Sequence, residues 1–114
     1  MTMEISTLTT DKINIEYVHV ESEFEIKWGK TEFYIRDEEI NFIMGDFFVD
    51  ENNWYALGAS EDRPIEGGFG EFIRDKYRRF TPRHSSAIAA ILVNEGYLIS
   101  KGKKPVLLRK YKNS

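Results

Sequence analysis

The chain has 114 residues, a formal net charge of −3, 41% hydrophobic and 31% charged residues, and sixteen aromatics (Phe 8, Tyr 6, Trp 2). This is the composition of a single globular domain, 1–114, rather than a disordered chain. With no cysteine and only two histidines, His19 and His84, it excludes disulfides, thiolate metal sites, a cysteine nucleophile and a histidine-rich metal centre.

The first half reads as strands. KINIEYVHV puts Ile13, Ile15 and Tyr17 on one face and Val18 and Val20 on the other. SEFEIKW alternates cleanly, with Phe24, Ile26 and Trp28 set against Glu23, Glu25 and Lys27. Gly29-Lys30 then predicts a tight hairpin into TEFYIR, where Phe33 and Ile35 face inward. Asp37-Glu38 reads as a turn before EINFIM, in which Ile40, Phe42 and Met44 alternate again. Gly45-Asp46 reads as another turn before FFVD, and DENN as a third before WYALG. Short connections predict antiparallel neighbours, so 1–58 is expected to be an acidic β-meander. Its outward face would carry Glu16, Glu23, Glu25, Glu32, Glu39 and Asp46. Such a row either solvates the sheet or imitates nucleic-acid phosphate for a DNA-binding target.

The second half reads differently. ASEDRPIEGG lacks periodicity and forms the connecting loop. FGEFIRDKYRRF sets Phe69, Phe72, Ile73, Tyr77 and Phe80 at helical spacing, with Arg74, Arg78 and Arg79 toward the C-terminal end. Thr81-Pro82 predicts a helix start, the threonine capping and the proline at the first position. PRHSSAIAAILVNE then runs to Gly96, a glycine suited to the C-terminal cap. YLIS and VLLRKY read as strands bracketing KGKKP, a hairpin with a basic tip. The expected fold is α+β: an N-terminal antiparallel β-meander packed on a C-terminal helix-turn-helix plus β-hairpin (69–112).

Charge divides with the fold. Residues 1–62 carry 15 acids and 4 bases, a net −11, and residues 63–114 carry 4 acids and 12 bases, a net +8. The two halves can attract each other within one chain or between copies, the latter giving a homodimer. Alternatively each half serves a partner of opposite charge.

The two helices, the Thr-Pro boundary, the helix ending in Gly-Tyr and the basic ribbon resemble a winged helix. SAIAAILVNEGYLISKGKKPVLLRKY is similar to the last helix and wing of the C-terminal winged helices of phage and plasmid primase-helicases. The resemblance covers 69–112 and departs from the family where strands stand in place of a first helix. It implies that Arg83, His84, Ser86 and Asn94 face a nucleic-acid groove. It also implies that Lys101, Lys103 and Lys104 sit on the wing, with Arg78 and Arg79 flanking. Of these only Arg83 and Asn94 suit base reading from the helix, so phosphate contacts and low specificity are expected with DNA or RNA.

Catalysis finds little footing. Neither histidine has triad partners nearby in sequence, and GGFGEF matches no phosphate loop. Glu25-Ile26-Lys27 with Asp11 upstream resembles a metal-nuclease step, but fits an ordinary alternating outer face. The expectation is a protein with no catalytic residues, no metal and no cofactor that binds nucleic acid through its basic half. The alternative is a protein–protein inhibitor or adaptor of phage origin, presenting Glu16, Glu23, Glu25, Glu32 and Glu39 to a basic partner. No apolar run approaches the roughly 18 residues of a membrane span and no signal-peptide core is evident, so a cytoplasmic location and no membrane partner are expected.

Overall fold

A computed structural model describes residues 1–111. Four antiparallel strands come first: β1 (Met3–Ser6), β2 (Ile13–Val20), β3 (Glu23–Trp28) and β4 (Thr31–Arg36), paired in that order. The β2–β3 and β3–β4 connections have two residues each, and each holds one residue at positive φ, Glu21 at 58° and Gly29 at 59°. Such short hairpin turns need that conformation. The alternation read from the sequence buries Ile15, Tyr17, Phe24, Ile26 and Ile35 on one face. Ile13 breaks the pattern, at 63% exposure. A register shift where Ser6 meets Ile13 and Ile5 meets Ile15 leaves an extra residue in β2, which turns Ile13 outward.

The meander ends there. EINFIM, expected as a strand, belongs to helix α1 (Asp37–Asp46). Ile40, Ile43 and Phe47 follow helical spacing as well as Ile40, Phe42 and Met44 follow strand spacing. The Glu39 carboxylate accepts the Arg36 N–H at 2.9 Å, closing the first turn. Asp37, Glu38 and Glu39 all lie at the positive end of the helix dipole. FFVD is not a strand either: Phe48 is fully buried, in ring contact with Tyr55 and Phe69. DENN does turn the chain, with Asn53 N–H on the Asp50 carbonyl. The strand that follows, β5 (Tyr55–Ala56), joins a second sheet rather than the meander.

Helix α2 (Phe69–Lys76) is shorter than its apolar stripe suggests. Tyr77 turns extended (φ −129°, ψ 113°), which lets Phe80 enter the core and frees Arg79 to reach back toward α1. Gly70 sits where a Cβ would come within 2.1 Å of the Gly58 carbonyl oxygen, and its N–H bonds Leu57 O at 2.8 Å. Only glycine lets α2 approach the 57–58 segment this closely.

The connection from α2 to α3 (His84–Asn94) spans seven residues, 77–83, longer than the three- or four-residue turn of a helix-turn-helix. Thr81 does not cap α3 with its hydroxyl, which instead donates to Glu61 at 2.9 Å. Residues 81–86 wind in tighter turns where the chain enters α3. At the other end Gly96 takes φ 85°, Tyr97 N–H bonds Leu92 O and Gly96 N–H bonds Val93 O. This is the Schellman closure that the glycine predicted. Seven of the eleven α3 residues are buried, including every position from Ala87 to Leu92, so α3 is a central helix without a polar face. Around it one core joins residues of both sheets and all three helices.

Strands β6 (Leu98–Lys101) and β7 (Leu107–Lys110) form the expected hairpin, and β5 adds to β7, giving the order β5-β7-β6. The architecture is α+β: a four-stranded antiparallel sheet, a three-stranded sheet and three helices. Lys112, the last residue of the winged-helix-like stretch, lies outside the described residues.

Candidate nucleic-acid interface

The cations singled out by sequence fall into two groups. Arg79 is engaged by groups of the protein itself. Its two terminal nitrogens bond the Glu39 carboxylate at 2.8 and 2.6 Å, one also reaches the Tyr34 carbonyl, and the guanidinium lies 4.3 Å from the Phe80 ring centroid. Burial alone would raise the Glu39 carboxyl. The Arg79 hydrogen bonds, the Arg36 N–H and both guanidinium charges outweigh it and hold that carboxyl below the usual carboxylate range. The same pairing pushes Arg79 up. Glu39 therefore sits on α1 beneath an arginine, not on the sheet's outer face.

Two further members hold α3 in place. Asn94 donates to the Tyr17 hydroxyl at 2.7 Å, and that hydroxyl donates to Glu95 at 2.6 Å. Burial and the bond to Glu95 push Tyr17 up to about 12. His84 accepts the Thr81 N–H on Nδ1 at 3.0 Å and stands between the Phe33 and Phe80 rings. Burial, with help from Arg79 and Arg83, pushes its pKa down against the pull of Glu61. A neutral, ring-packed imidazole makes a poor phosphate contact at neutral pH.

The second group is open to solvent. Lys101, Lys103 and Lys104 are exposed on β6 and the hairpin tip, and Arg78 is exposed after α2. None of them has an ion pair among the described residues. Lys103 and Lys104 border a depression of about 400 Å³ together with Arg63 and Ser86. A second depression of about 320 Å³, between the β3–β4 turn and the start of α3, is bordered by Lys30, Arg83, Asn14 and Glu61. Arg83 lies over the Trp28 ring, 5.0 Å from its centroid. Both hollows draw on the 57–65 loop and on the first turn of α3. Arg63, Lys103 and Lys104 thus line one hollow, and Lys30 and Arg83 line the other.

Sequence reasoning missed Lys30, Arg63, Trp54 and Arg109. On the three-stranded sheet, Lys101 and Arg109 lie 4.2 and 4.6 Å from the Trp54 ring centroid. Residues 96–111 contain four lysines, one arginine and no carboxylate. The run of lysines was visible in the sequence; the indole beside two cations depends on β5 pairing with β7.

The acidic candidates Glu16, Glu23, Glu25 and Glu32 do share the outer face of the four-stranded sheet. Glu4, Glu16, Lys27 and Glu32 stand in register across its four strands, and Arg36 stands opposite Glu23. That face is mixed rather than purely anionic. Glu25 and Lys27 lie on it as ordinary outward residues, and Asp11 lies in the loop before β2. His19 bonds the Asp37 carboxylate through Nε2 at 2.8 Å. Among the described residues no three histidine or acidic side chains group as metal ligands, and no helix is long and apolar enough to cross a membrane. No family model matches this chain, and no curated protein or solved structure is significantly similar to it.

Proposed function

We propose that this protein is a non-enzymatic nucleic-acid-binding protein whose C-terminal hairpin contacts the phosphate backbone. The observation that carries the reading is the hairpin itself: its five cations lie within 96–111 without a single carboxylate. Arg63 shares the hollow beside Lys103 and Lys104 and extends the cationic surface. Phosphate contacts of this kind position a protein without reading sequence. Low specificity also follows from α3, whose buried body offers no face to a groove.

The winged-helix resemblance enters this reading in modified form. Helix α1 (Asp37–Asp46) stands upstream of the helix pair, where strands were expected. The helix that would read bases is covered, so the wing carries the interaction. Fluorescence anisotropy with short DNA and RNA tests the reading. Wild type should bind in the micromolar range or tighter at low salt, and the combined Lys101→Glu, Lys103→Glu, Lys104→Glu variant should not.

A second reading rests on the outer row of Glu4, Glu16, Lys27 and Glu32. There the acidic sheet would serve as an adaptor surface for a basic protein. The lysine reversals would leave that interaction intact, which separates the two readings.

A further inference from the structure

The hairpin has a second side. Strand alternation puts Tyr97, Ile99 and Lys101 on one face of β6, and Leu107, Arg109 and Tyr111 on the same face along β7. The opposite face carries Leu98 and Leu108, which are buried in the core. Tyr111 N–H bonds the Tyr97 carbonyl at 2.9 Å and extends the ladder by one pair, so the two tyrosines are cross-strand neighbours. They are 37% and 55% exposed. Trp54 completes this face, with Lys101 at 4.2 Å and Arg109 at 4.6 Å from its ring centroid. Arg109 Nε is buried and has no hydrogen-bond acceptor among the described residues.

We infer that this face is a platform for single-stranded nucleic acid, on which bases stack against Trp54, Tyr97 and Tyr111 while Lys101 and Arg109 meet the phosphates. The inference rests on the nucleic-acid reading above and names its substrate class. Three aromatics among cations, with no carboxylate on the hairpin, provide what a single strand requires: π-faces for unpaired bases and positive charge for the backbone between them. A duplex keeps its base faces stacked and gains nothing from the rings. Lys101 occupies the Trp54 ring in the free protein. Its flexible stem lets the ammonium leave for a phosphate as a base takes its place on the indole. The buried α3 argues in the same direction, because its body is not open to enter a major groove.

The test uses the full chain, with labelled oligothymidylate of about twelve nucleotides, a length within the usual site sizes, and a duplex of the same length. The chain has two tryptophans, so Trp28→Phe leaves Trp54 as the sole indole reporter. The single strand should bind about tenfold or more tightly than the duplex at equal salt and quench Trp54 emission. Trp54→Ala should weaken single-strand binding about tenfold. If that variant fails to fold by circular dichroism, Tyr111→Ala, at an exposed position, should still weaken it several-fold. Equal or tighter duplex binding, with Trp54 emission unchanged, would overturn the platform and leave the hairpin reading standing. Binding of neither form at low salt would overturn both.

Discussion

Arg79 holds the Glu39 carboxylate with two nitrogens, at 2.8 and 2.6 Å, and so ties the segment after α2 to the first turn of α1. The pair joins the basic half of the chain to the acidic half. Part of the charge division is therefore consumed inside the molecule. Glu39 is only 12% exposed, so removing its partner strands a largely desolvated carboxylate. Arg79→Ala should cost about 1–3 kcal/mol by chemical denaturation. The pH dependence has a fixed sign. A carboxyl held low in the folded state stabilises above its unfolded value, near 4.5, and that contribution fades as pH falls below it. Glu39→Gln should flatten this part of the acid limb.

His84 predicts a second pH effect at a higher range. Its folded pKa lies below the ordinary value of 6.5, chiefly through burial. The neutral ring is favoured on folding, so the stability it contributes is present above pH 6.5 and lost as pH falls below it. Denaturation midpoints should drop between pH 7.5 and 5.5 in the wild type. The drop should be smaller in His84→Asn, whose side-chain oxygen can still accept the Thr81 N–H. An unchanged drop would assign it to another group.

Two glycines should respond in opposite directions to alanine. At Gly70 the new Cβ would meet the Gly58 carbonyl oxygen at 2.1 Å, whereas at Gly45, inside α1, it would meet nothing within 4 Å. Gly70→Ala should destabilise by about 1–3 kcal/mol or more, as overpacking does. Gly45→Ala should stabilise by about 0.4–1 kcal/mol, by restricting the unfolded chain and favouring the helix. Thermal melts of the two variants check both signs.

Asn94 distinguishes a structural residue from a binding one. Its amide is spent on the Tyr17 hydroxyl, the link between β2 and the end of α3. Asn94→Ala should lower stability by about 0.5–1.5 kcal/mol and leave nucleic-acid affinity unchanged. A loss of affinity with stability intact would return Asn94 to the binding surface.

The hairpins were legible because their signals are local. A period-two strand, a two-residue turn and a second period-two strand fix β3 and β4 without tertiary information. Helix α1 was not legible in the same way, because EINFIM satisfies both periods. The deciding feature lay just outside the apolar run, in the Arg36-to-Glu39 closure and the three acids of the first turn. Misplacing Glu39 on a strand also made Arg79 look free. The lysines of KGKK were plain in sequence, but their companions were not. Arg63 stands some forty residues away and meets Lys103 and Lys104 only through the packing of the 57–65 loop. Trp54 meets Lys101 and Arg109 only because a two-residue strand pairs with β7. The burial of α3 on nearly every side was signalled by Ala87, Ala89 and Ala90, small residues that admit close neighbours.

The central claim is that the hairpin cations bind nucleic-acid phosphate, and the salt dependence of binding tests it most directly. Each phosphate neutralised contributes about −0.7 to −0.9 to the slope of log K against log salt. Wild type should show a steep slope of several phosphates, and the variant with Lys101, Lys103 and Lys104 all changed to Glu should lose about two or three of them together with most of its affinity. A wild-type protein that binds neither DNA nor RNA at low salt, or a variant that keeps both slope and affinity, would contradict the account.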